Sequence, residues 1–324
     1  MSKNGNLHQA KRAKNDEFYT QLSDIEKECK HYKRHFKDKV ILCNCNDALH
    51  TGFATYFSLN FEILGLKELI CTSFSMEEGG HGRIYRYHGD KNGNGVPDIE
   101  EWDQQEMEGN GGFNTPEGVE LIKEADIIVT NPPFSLFREF VAILEEYGKK
   151  YLVIGNMNAI TYKEIFPLIK DNKMWLGAKS LGSDMFFDVL NEYKEELMTT
   201  KTQGGGWKII DGDVKGRVAT ACWFTNLDHT KRHEPLDLYK HYTPEEYPKY
   251  DNYDAINVNK VCDIPMDYDG VMGVPISFLD KYCPEQFEII GHEHDLNGNG
   301  SEGITQFCVN NKGVYKRILI RILA

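Results

Sequence analysis

Four residues near the middle of the chain, Asn131-Pro132-Pro133-Phe134, combine the groups needed to hold a planar amine. An amine becomes a better nucleophile when it donates both of its hydrogens, and that requires two acceptors in fixed positions. The side-chain oxygen of Asn131 and the carbonyl oxygen of Pro132 are such acceptors, and the prolines restrict the backbone that carries them. Phe134 adds a flat face on which a heterocyclic base can stack. The alternative is an ordinary Asn-Pro-Pro turn.

The elements around this tetrapeptide predict where it lies. Residues 125–130, which precede it, form an apolar run typical of a buried strand, and similar runs occur at 39–47, 68–74 and 150–155. Helical patterns at 51–61, 117–124 and 136–147 alternate with these strands. The alternation predicts an α/β fold with a doubly wound, mostly parallel sheet, whose ligands bind beyond the carboxyl ends of the strands. The polar residues at or just beyond the carboxyl ends of these strands should share that edge: 44–47, 72–73, 131–134 and 156–158.

The remaining chain predicts a second, smaller region. Residues 160–169 resemble a helix and 216–226 a late strand of the same sheet, whereas 232–269 are rich in Tyr, Pro, Asp and Asn with little periodicity. We therefore expect a catalytic domain at 1–229 and a separate region at 230–324, with the boundary near 230.

Composition limits the class of protein. The 324 residues carry a formal charge of -13, which argues against indiscriminate binding of nucleic acid but does not exclude DNA, because basic residues cluster near both ends of the chain. The polar N-terminus predicts no signal peptide, and no apolar run is long enough to span a membrane. The expected location is the cytoplasm. None of the eight cysteines falls in a CxxC pair.

Five segments resemble the N6-adenine DNA methyltransferases, and specifically the EcoRI adenine methylase family. They occur in the family's order and lie within residues 15–21, 130–138, 153–161, 222–226 and 270–275. Asn-Pro-Pro-Phe alone is moderately specific. Its combination with Phe18-Tyr19-Thr20-Gln21, more than a hundred residues upstream, is a much more specific sign of the family.

The resemblance implies S-adenosylmethionine as the cofactor and assigns residues to it. Phe18, Tyr19 and Thr20 correspond to the segment that closes over the methionine part. The turn after the first buried strand points to Asn44, Cys45 and Asp47, although it lacks the usual Gly-x-Gly.

Two further cofactor positions depart from the family pattern. Thr72-Ser73 stands where an acidic residue commonly binds the ribose, and Gly112 stands where an Asp is expected, so Thr72 and Asn110 are the substitutes. For all of these positions, the alternative is an ordinary turn residue.

The same resemblance implies a reaction and its partners. The enzyme transfers a methyl group directly to the exocyclic amine of an adenine flipped out of double-stranded DNA, with Asn131 and Pro132 orienting the amine and no metal in the chemistry. The order of segments implies that residues 230–324 recognise the DNA target. Such enzymes act in restriction-modification beside a cognate restriction endonuclease, or alone as orphan or phage methylases.

Two patterns could instead bind a metal. Asp90, Asn92, Asn94, Asp98 and Glu101 match the oxygen-ligand spacing of a calcium loop, with Gly95 at its sixth position. Residues 83–88 predict a strand rather than the helix of an EF-hand, so a Gly/Asn-rich hairpin with solvated acids is the favoured interpretation. Cys43 and Cys45 with His81 form a weaker candidate, against side chains of a buried strand and its turn.

Two rival functions stay open at this level. Protein glutamine methyltransferases also use an Asn-Pro-Pro motif, usually with a glycine-rich cofactor loop that this chain lacks. A non-catalytic DNA- or calcium-binding module on a degenerate methylase frame would explain the missing Gly-x-Gly and the missing cofactor acid. Equilibrium binding of the cofactor separates that module from an enzyme.

Overall fold

The structure is a computed structural model, and it describes residues 19–44, 48–75, 77, 79–181, 183–189, 191–293 and 306–323. Phe18, Cys45 and Asp47 lie outside these ranges. The described chain forms two compact units: the first comprises residues up to Met157 together with Gly182–Leu227, and the second comprises Asn158–Leu181 and the residues from Asp228 onward.

The elements are numbered in chain order. The α-helices are α1 Leu22–Cys29, α2 Lys33–Phe36, α3 Gly52–Leu59, α4 Phe61–Leu64, α5 Pro116–Glu124, α6 Phe137–Glu146, α7 Phe166–Lys170 and α8 Asn191–Thr200. The strands of the first unit are β1 Tyr19–Thr20, β2 Val40–Asn44, β3 Glu68–Ser73, β4 Arg83–Tyr87, β5 Trp102–Glu106, β6 Ile127–Thr130, β7 Lys150–Asn156, β9 Phe186–Asp188, β10 Trp207–Ile210, β11 Asp213–Arg217 and β12 Ala221–Thr225. Those of the second unit are β8 Trp175–Leu176, β13 Ile256–Asn257, β14 Met272–Pro275, β15 Phe287–His292, β16 Cys308–Val309, β17 Lys312–Gly313 and β18 Arg317–Ile322.

The first unit is built on a sheet in which its strands follow the order β5-β4-β3-β2-β6-β7-β12. The central strands β3, β2, β6 and β7 are parallel, so their carboxyl ends meet at one edge. Strands β4 and β5 extend one side and β12 the other, all antiparallel to their neighbours. This mixed α/β sheet with a parallel centre confirms the predicted fold class.

Helices cover both faces of this sheet, as parallel strands require. On one face, alternate strand residues such as Ile41, Val129 and Ile154 pack in one core cluster with Ile25 of α1 and Phe57 of α3. On the other face, the ring of Phe137 in α6 lies 5.0 Å from that of Phe224 in β12. The tetrapeptide segment therefore emerges between two packed layers.

A small antiparallel sheet in the same unit has the order β1-β9-β11-β10. Its edge strand β1 pairs Tyr19 with Asp188 and Thr20 with Phe187. Phe187 is fully buried and belongs to the main core cluster, so this pairing anchors the start of the described chain to the core. The hairpin between β10 and β11 turns at Asp211-Gly212, both with positive φ, as such tight turns require.

The second unit contains a four-stranded sheet of order β13-β14-β18-β15. Its core includes Phe278 and Phe287, whose ring centroids are 5.1 Å apart. A smaller cluster contains Tyr250 and Phe307, with ring centroids at 4.8 Å.

Some sequence expectations need revision. The expected strand at 216–226 is two strands, because β11 ends at Arg217 in the small sheet and β12 begins at Ala221 in the large one. The expected helix at 160–169 is shorter: a 3-10 helix at Met157–Thr161 precedes α7. The first compact unit ends at Leu227, and residues 158–181 belong to the second unit, while catalysis by 1–229 and DNA recognition by 230–324 stay predictions.

Candidate active site

The Asn131-Pro132-Pro133-Phe134 segment directly follows β6, at the carboxyl edge of the parallel strands. Pro132 is buried, and the other three residues are half-buried. Leu136 N–H donates to the Pro133 carbonyl at 2.9 Å, which closes a 3-10 turn over Phe134–Leu136 and leads into α6. Phe134 packs partly against the main core, so one part of its ring is supported and another part remains accessible.

A hydrogen bond joins this segment to the neighbouring strand. The hydroxyl of Thr130, fully buried, donates to the carbonyl oxygen of Asn44 at 2.7 Å. Asn44 is the last residue of β2, and Thr130 directly precedes Asn131. The ends of two adjacent parallel strands are therefore held together where both carry candidate functional residues.

The segment around Thr20 approaches the same edge from the small sheet. Gly52, the first residue of α3, lies so near it that an added Cβ would stand 2.6 Å from the Thr20 carbonyl oxygen. Helix α3 begins after the turn that follows β2, with the Thr51 hydroxyl accepting from Ala54 N–H at 3.2 Å. The glycine thus lets the backbone of β1 lie against the start of the helix.

Three side-chain atoms in this region fit the polar groups of a bound cofactor. Within the described part of the chain, Thr20 Oγ1, Gln21 Nε2 and Asn44 Oδ1 are buried and have no hydrogen-bond partner. Leaving such atoms unpaired costs about 1–3 kcal/mol each, so a polar ligand that pairs with them is stabilised there. Thr20 and Asn44 belong to the residues predicted for S-adenosylmethionine, and Gln21 directly follows Thr20.

A third segment meets the end of β3. Gly111 has a φ of +85°, and a Cβ there would lie 2.1 Å from the carbonyl oxygen of Ser73. Ser75 N–H donates to the Asn110 carbonyl at 2.8 Å, while the Asn110 side chain is exposed and accepts from Gly112 N–H. Thr72, in contrast, is buried within β3. The backbone of the 109–112 loop therefore borders the candidate site at the carboxyl end of β3.

Comparison with known proteins shows the family of this chain. The family described as "Adenine-specific methyltransferase EcoRI" matches residues 6–322. The chain belongs to this family. It is 45% identical to the Type II methyltransferase M.EcoRI of Escherichia coli over 96% of this chain and 97% of that protein. The chain is therefore a methyltransferase of the EcoRI adenine-specific family.

Two further relatives support the assignment. The Type II methyltransferase M.MpnI of Mycoplasma pneumoniae is 41% identical over 88% of this chain and 84% of its own length. M.MgeORF184P of Mycoplasma genitalium is 39% identical over 88% and 85%. No solved structure gives a significant match. The family assignment does not favour the protein-glutamine alternative.

The structure brings together most of the residues predicted for this adenine-specific site. Thr20, Asn44 and the 131–134 segment lie at or beside the carboxyl ends of β2 and β6, and Thr72 and Asn110 lie at the β3 end. Tyr19 is placed by its backbone in β1, opposite Asp188. Phe18, Cys45 and Asp47 are predictions outside the described residues.

Sequence reasoning missed Trp223 as a candidate. Trp223 is almost fully buried in β12, and its indole N–H has no acceptor among the described residues. It lay in a segment that matched the family, Cys222–Asn226, but a tryptophan in an apolar strand is usually a core residue. Only the unpaired N–H distinguishes it.

The calcium-loop residues also come together, in the loop between β4 and β5. Gly95 and Gly93 N–H groups donate to Asp90 and hold the pKa of that carboxyl below its ordinary value. Glu101 is buried and accepts from the Lys91, Asn92 and Asp98 N–H groups. Asn92 and Asn94 donate to Asp98. A strand precedes the loop and a 3-10 helix ends it.

The second metal candidate of the sequence, Cys43 with Cys45 and His81, is described in part. Throughout the described ranges, no group of three or more His, Cys, Asp and Glu side chains is arranged to hold a metal ion. His81 Nδ1 lies 2.8 Å from the Met107 carbonyl oxygen, and Cys43 is buried. No helix among the described residues is both long enough and apolar enough to cross a membrane.

Proposed function

We propose that this protein is a site-specific DNA methyltransferase that transfers a methyl group from S-adenosylmethionine to N6 of an adenine flipped out of double-stranded DNA. The observation that carries the proposal is the hydrogen bond between Thr130 and Asn44. It holds the amine-gripping segment next to buried polar atoms that suit the cofactor, in a chain of the adenine-specific family.

The chain's own residues would act through position rather than through covalent chemistry. The Asn131 side-chain oxygen and the Pro132 carbonyl accept the two hydrogens of the target amine, which directs its lone pair outward and stabilises the positive charge that the nitrogen gains. Phe134 stacks on the extruded base, offsetting part of the cost of unstacking it. The bound cofactor supplies the electrophilic methyl group. The transfer itself needs no metal.

Recognition of the DNA sequence is assigned to residues 230–324. Arg232 in the second unit supports this role. Its guanidinium carbon lies 3.9 Å from the ring centroid of Trp175, and its Nη2 donates to Asn172 at 2.7 Å. Among the described residues Arg232 forms no ion pair, and burial lowers its pKa from the ordinary value. A rigidly held arginine without a carboxylate partner suits contact with a phosphate or a base edge.

The biological setting follows from the substrate. We place the enzyme in the cytoplasm, acting on duplex DNA, with a restriction endonuclease of the same site as its partner. Plasmid recovered from cells that express the protein should resist one endonuclease specificity. Solitary action, as in an orphan or phage methylase, is the alternative and predicts methylation without any such endonuclease beside it.

The direct test is transfer of labelled methyl from S-adenosylmethionine to unmodified duplex DNA, followed by identification of the modified base. We expect label in N6-methyladenine at one sequence, and loss of at least about a hundredfold in rate for Asn131→Ala, as for other fixed hydrogen-bond groups in active sites. Asn94→Ala, on the exposed 90–101 loop, is the matched control and should retain the wild-type rate. Label in cytosine or in protein, or an active Asn131→Ala variant, refutes the proposal.

A further inference from the structure

The indole of Trp223 presents a buried donor on the face of the sheet that carries the candidate cofactor residues. Its exposed fraction is 1%, and within the described ranges Nε1 has no acceptor. An indole N–H can only donate, so its partner must be an acceptor. Buried donors without partners are rare in folded proteins and need an explanation.

The strand register places Trp223 at the height of the active-site edge. Thr130 of β6 is opposite Val153 of β7, and Trp223 of β12 is opposite Ile154, one residue further toward the edge. Trp223 therefore lies level with Asn131. Because Phe224 packs against α6, Trp223 points to the opposite face, where it belongs to the same core cluster as Phe134.

The ring of Trp223 reaches the start of α3. Its centroid is 6.1 Å from that of Phe53, in a T-shaped contact. Phe53 follows Gly52, where an added Cβ would stand 2.6 Å from the Thr20 carbonyl oxygen. The indole is thus connected to the segment that holds Thr20 and Gln21 through two consecutive residues at the start of α3, Gly52 and Phe53.

The unpaired atoms of this region match one chemical group. Thr20 Oγ1, Gln21 Nε2 and Trp223 Nε1 are hydrogen-bond donors, and Asn44 Oδ1 is an acceptor. An α-amino acid in its zwitterionic form needs donors for its carboxylate and an acceptor for its ammonium group. Charge-assisted hydrogen bonds of this kind are stronger than neutral ones, which favours such a ligand over a neutral one.

We infer that Trp223 is a ligand-binding residue whose indole N–H donates to the carboxylate of the cofactor's amino-acid end, together with Gln21. The inference rests on the proposed function, because it takes S-adenosylmethionine as the cofactor. It assigns two residues that neither the tetrapeptide nor the Gly-poor turn after β2 would indicate. It also explains how this chain recognises the amino-acid end without a Gly-x-Gly turn.

The test compares the binding of two ligands that differ only in that carboxylate. The dissociation constants of S-adenosylmethionine and decarboxylated S-adenosylmethionine are measured by calorimetry for the wild type and for Trp223→Phe, which keeps an aromatic ring but removes the N–H. We expect the wild type to prefer the carboxylated ligand, and Trp223→Phe to lose about tenfold of that preference, with little change in affinity for the decarboxylated ligand.

Trp207→Phe is the matched control. The Trp207 indole N–H already donates to the Lys201 carbonyl at 3.0 Å, so its removal should leave the ratio of the two dissociation constants unchanged. Gln21→Met is a second test variant and should likewise reduce the preference for the carboxylated ligand.

An unchanged ratio of the two dissociation constants in Trp223→Phe would overturn the inference. If both affinities fall equally, the cause is a general packing defect. If binding is unaltered and only the melting temperature falls, the N–H serves the protein interior. Failure of the wild type to bind either ligand would instead refute the proposed function, so the two failures are distinguishable.

Discussion

Thr130 and Asn44 are joined by a buried hydrogen bond of 2.7 Å that links the strand before the catalytic segment to the strand before the cofactor turn. We expect Thr130→Val to cost about 1–3 kcal/mol of stability, because it leaves the Asn44 carbonyl without this donor. The variant should also raise the KM for S-adenosylmethionine and lower kcat, since both segments lose their shared support.

Thr225→Val provides the matched control for Thr130→Val. Thr225 is equally buried, and its hydroxyl donates to the Tyr151 carbonyl at 2.7 Å between β12 and β7. This bond lies away from the β2 and β6 carboxyl ends, so its loss should lower the melting temperature without the kinetic defect. Equal kinetic effects in the two variants would show that the Thr130 bond serves stability alone.

The second prediction concerns the close packing of Gly155 against the ring of Phe137. An added Cβ at Gly155 in β7 would lie 2.5 Å from Phe137 Cε2, and Phe137 is the first residue of the helix after the tetrapeptide turn. Gly155→Ala should therefore cost about 1–3 kcal/mol through overpacking and should displace the start of α6. We expect reduced methyl transfer from the same displacement.

A double variant separates this collision from other effects of the alanine. Phe137→Leu removes the ring atoms that the new Cβ would meet, so Gly155→Ala should destabilise the Phe137→Leu background less than it destabilises the wild type. Thermal unfolding of the four proteins measures the coupling. Simple additivity would argue against the contact as the cause.

The sequence predicted the parallel centre of the sheet because its strands are continuous apolar runs followed by polar residues, a pattern that depends on local chemistry. It also predicted that Asn131 and Asn44 share an edge, since parallel strands end together. It did not predict the pairing of Thr20 with Phe187, because nothing in either short segment indicates a partner almost 170 residues away.

The role proposed for Trp223 could not be predicted from the sequence for a related reason. Its residue type and apolar neighbours indicate core packing, and the absence of an acceptor for its N–H is a property of the folded surroundings. The grouping of residues 158–181 with the second unit is likewise set by packing.

The 109–112 loop leads to the third prediction. Gly111→Ala should weaken cofactor binding, because the residue has a φ of +85° and its Cβ would collide with the Ser73 carbonyl at the end of β3. Gly93→Ala has a similar φ of +76° but meets no atom within 4 Å, so it isolates the backbone strain of about 1–2 kcal/mol. Calorimetric titration with S-adenosylmethionine should show a larger dissociation constant only for Gly111→Ala.

His233 gives a prediction about pH in the second unit. Its ring nitrogens lie 2.5 Å from Asp228 Oδ1 and 2.8 Å from Glu285 Oε1, and these two carboxylates raise the pKa of His233 above its ordinary value of 6.5. Stability from the protonated ring is therefore complete below 6.5 and is lost as the pH rises through the higher folded-state pKa.

Thermal unfolding across this range tests the His233 effect. The melting-temperature difference between the wild type and His233→Asn should be largest near about pH 6 and should shrink as the pH rises above neutrality. Asp228→Asn removes the largest cause of the shift and should move this decline to lower pH. A difference that does not change with pH would contradict the assignment.

Arg232 provides the prediction for DNA binding. Its guanidinium is stacked on Trp175 and has no carboxylate partner in the described part of the chain, so a phosphate or base edge can pair with it without displacing an existing ion pair. Arg232→Gln should weaken binding to duplex DNA, and if the contact is to one phosphate, the slope of log K against log salt should fall by about 0.9.

Arg321→Gln is the control, because Arg321 is already 3.7 Å from Glu288 and should contribute little. A uniform loss across DNA sequences would assign Arg232 to the backbone, whereas a loss confined to the methylated site would assign it to a base. Unchanged DNA affinity in Arg232→Gln would remove this residue from the proposed recognition surface.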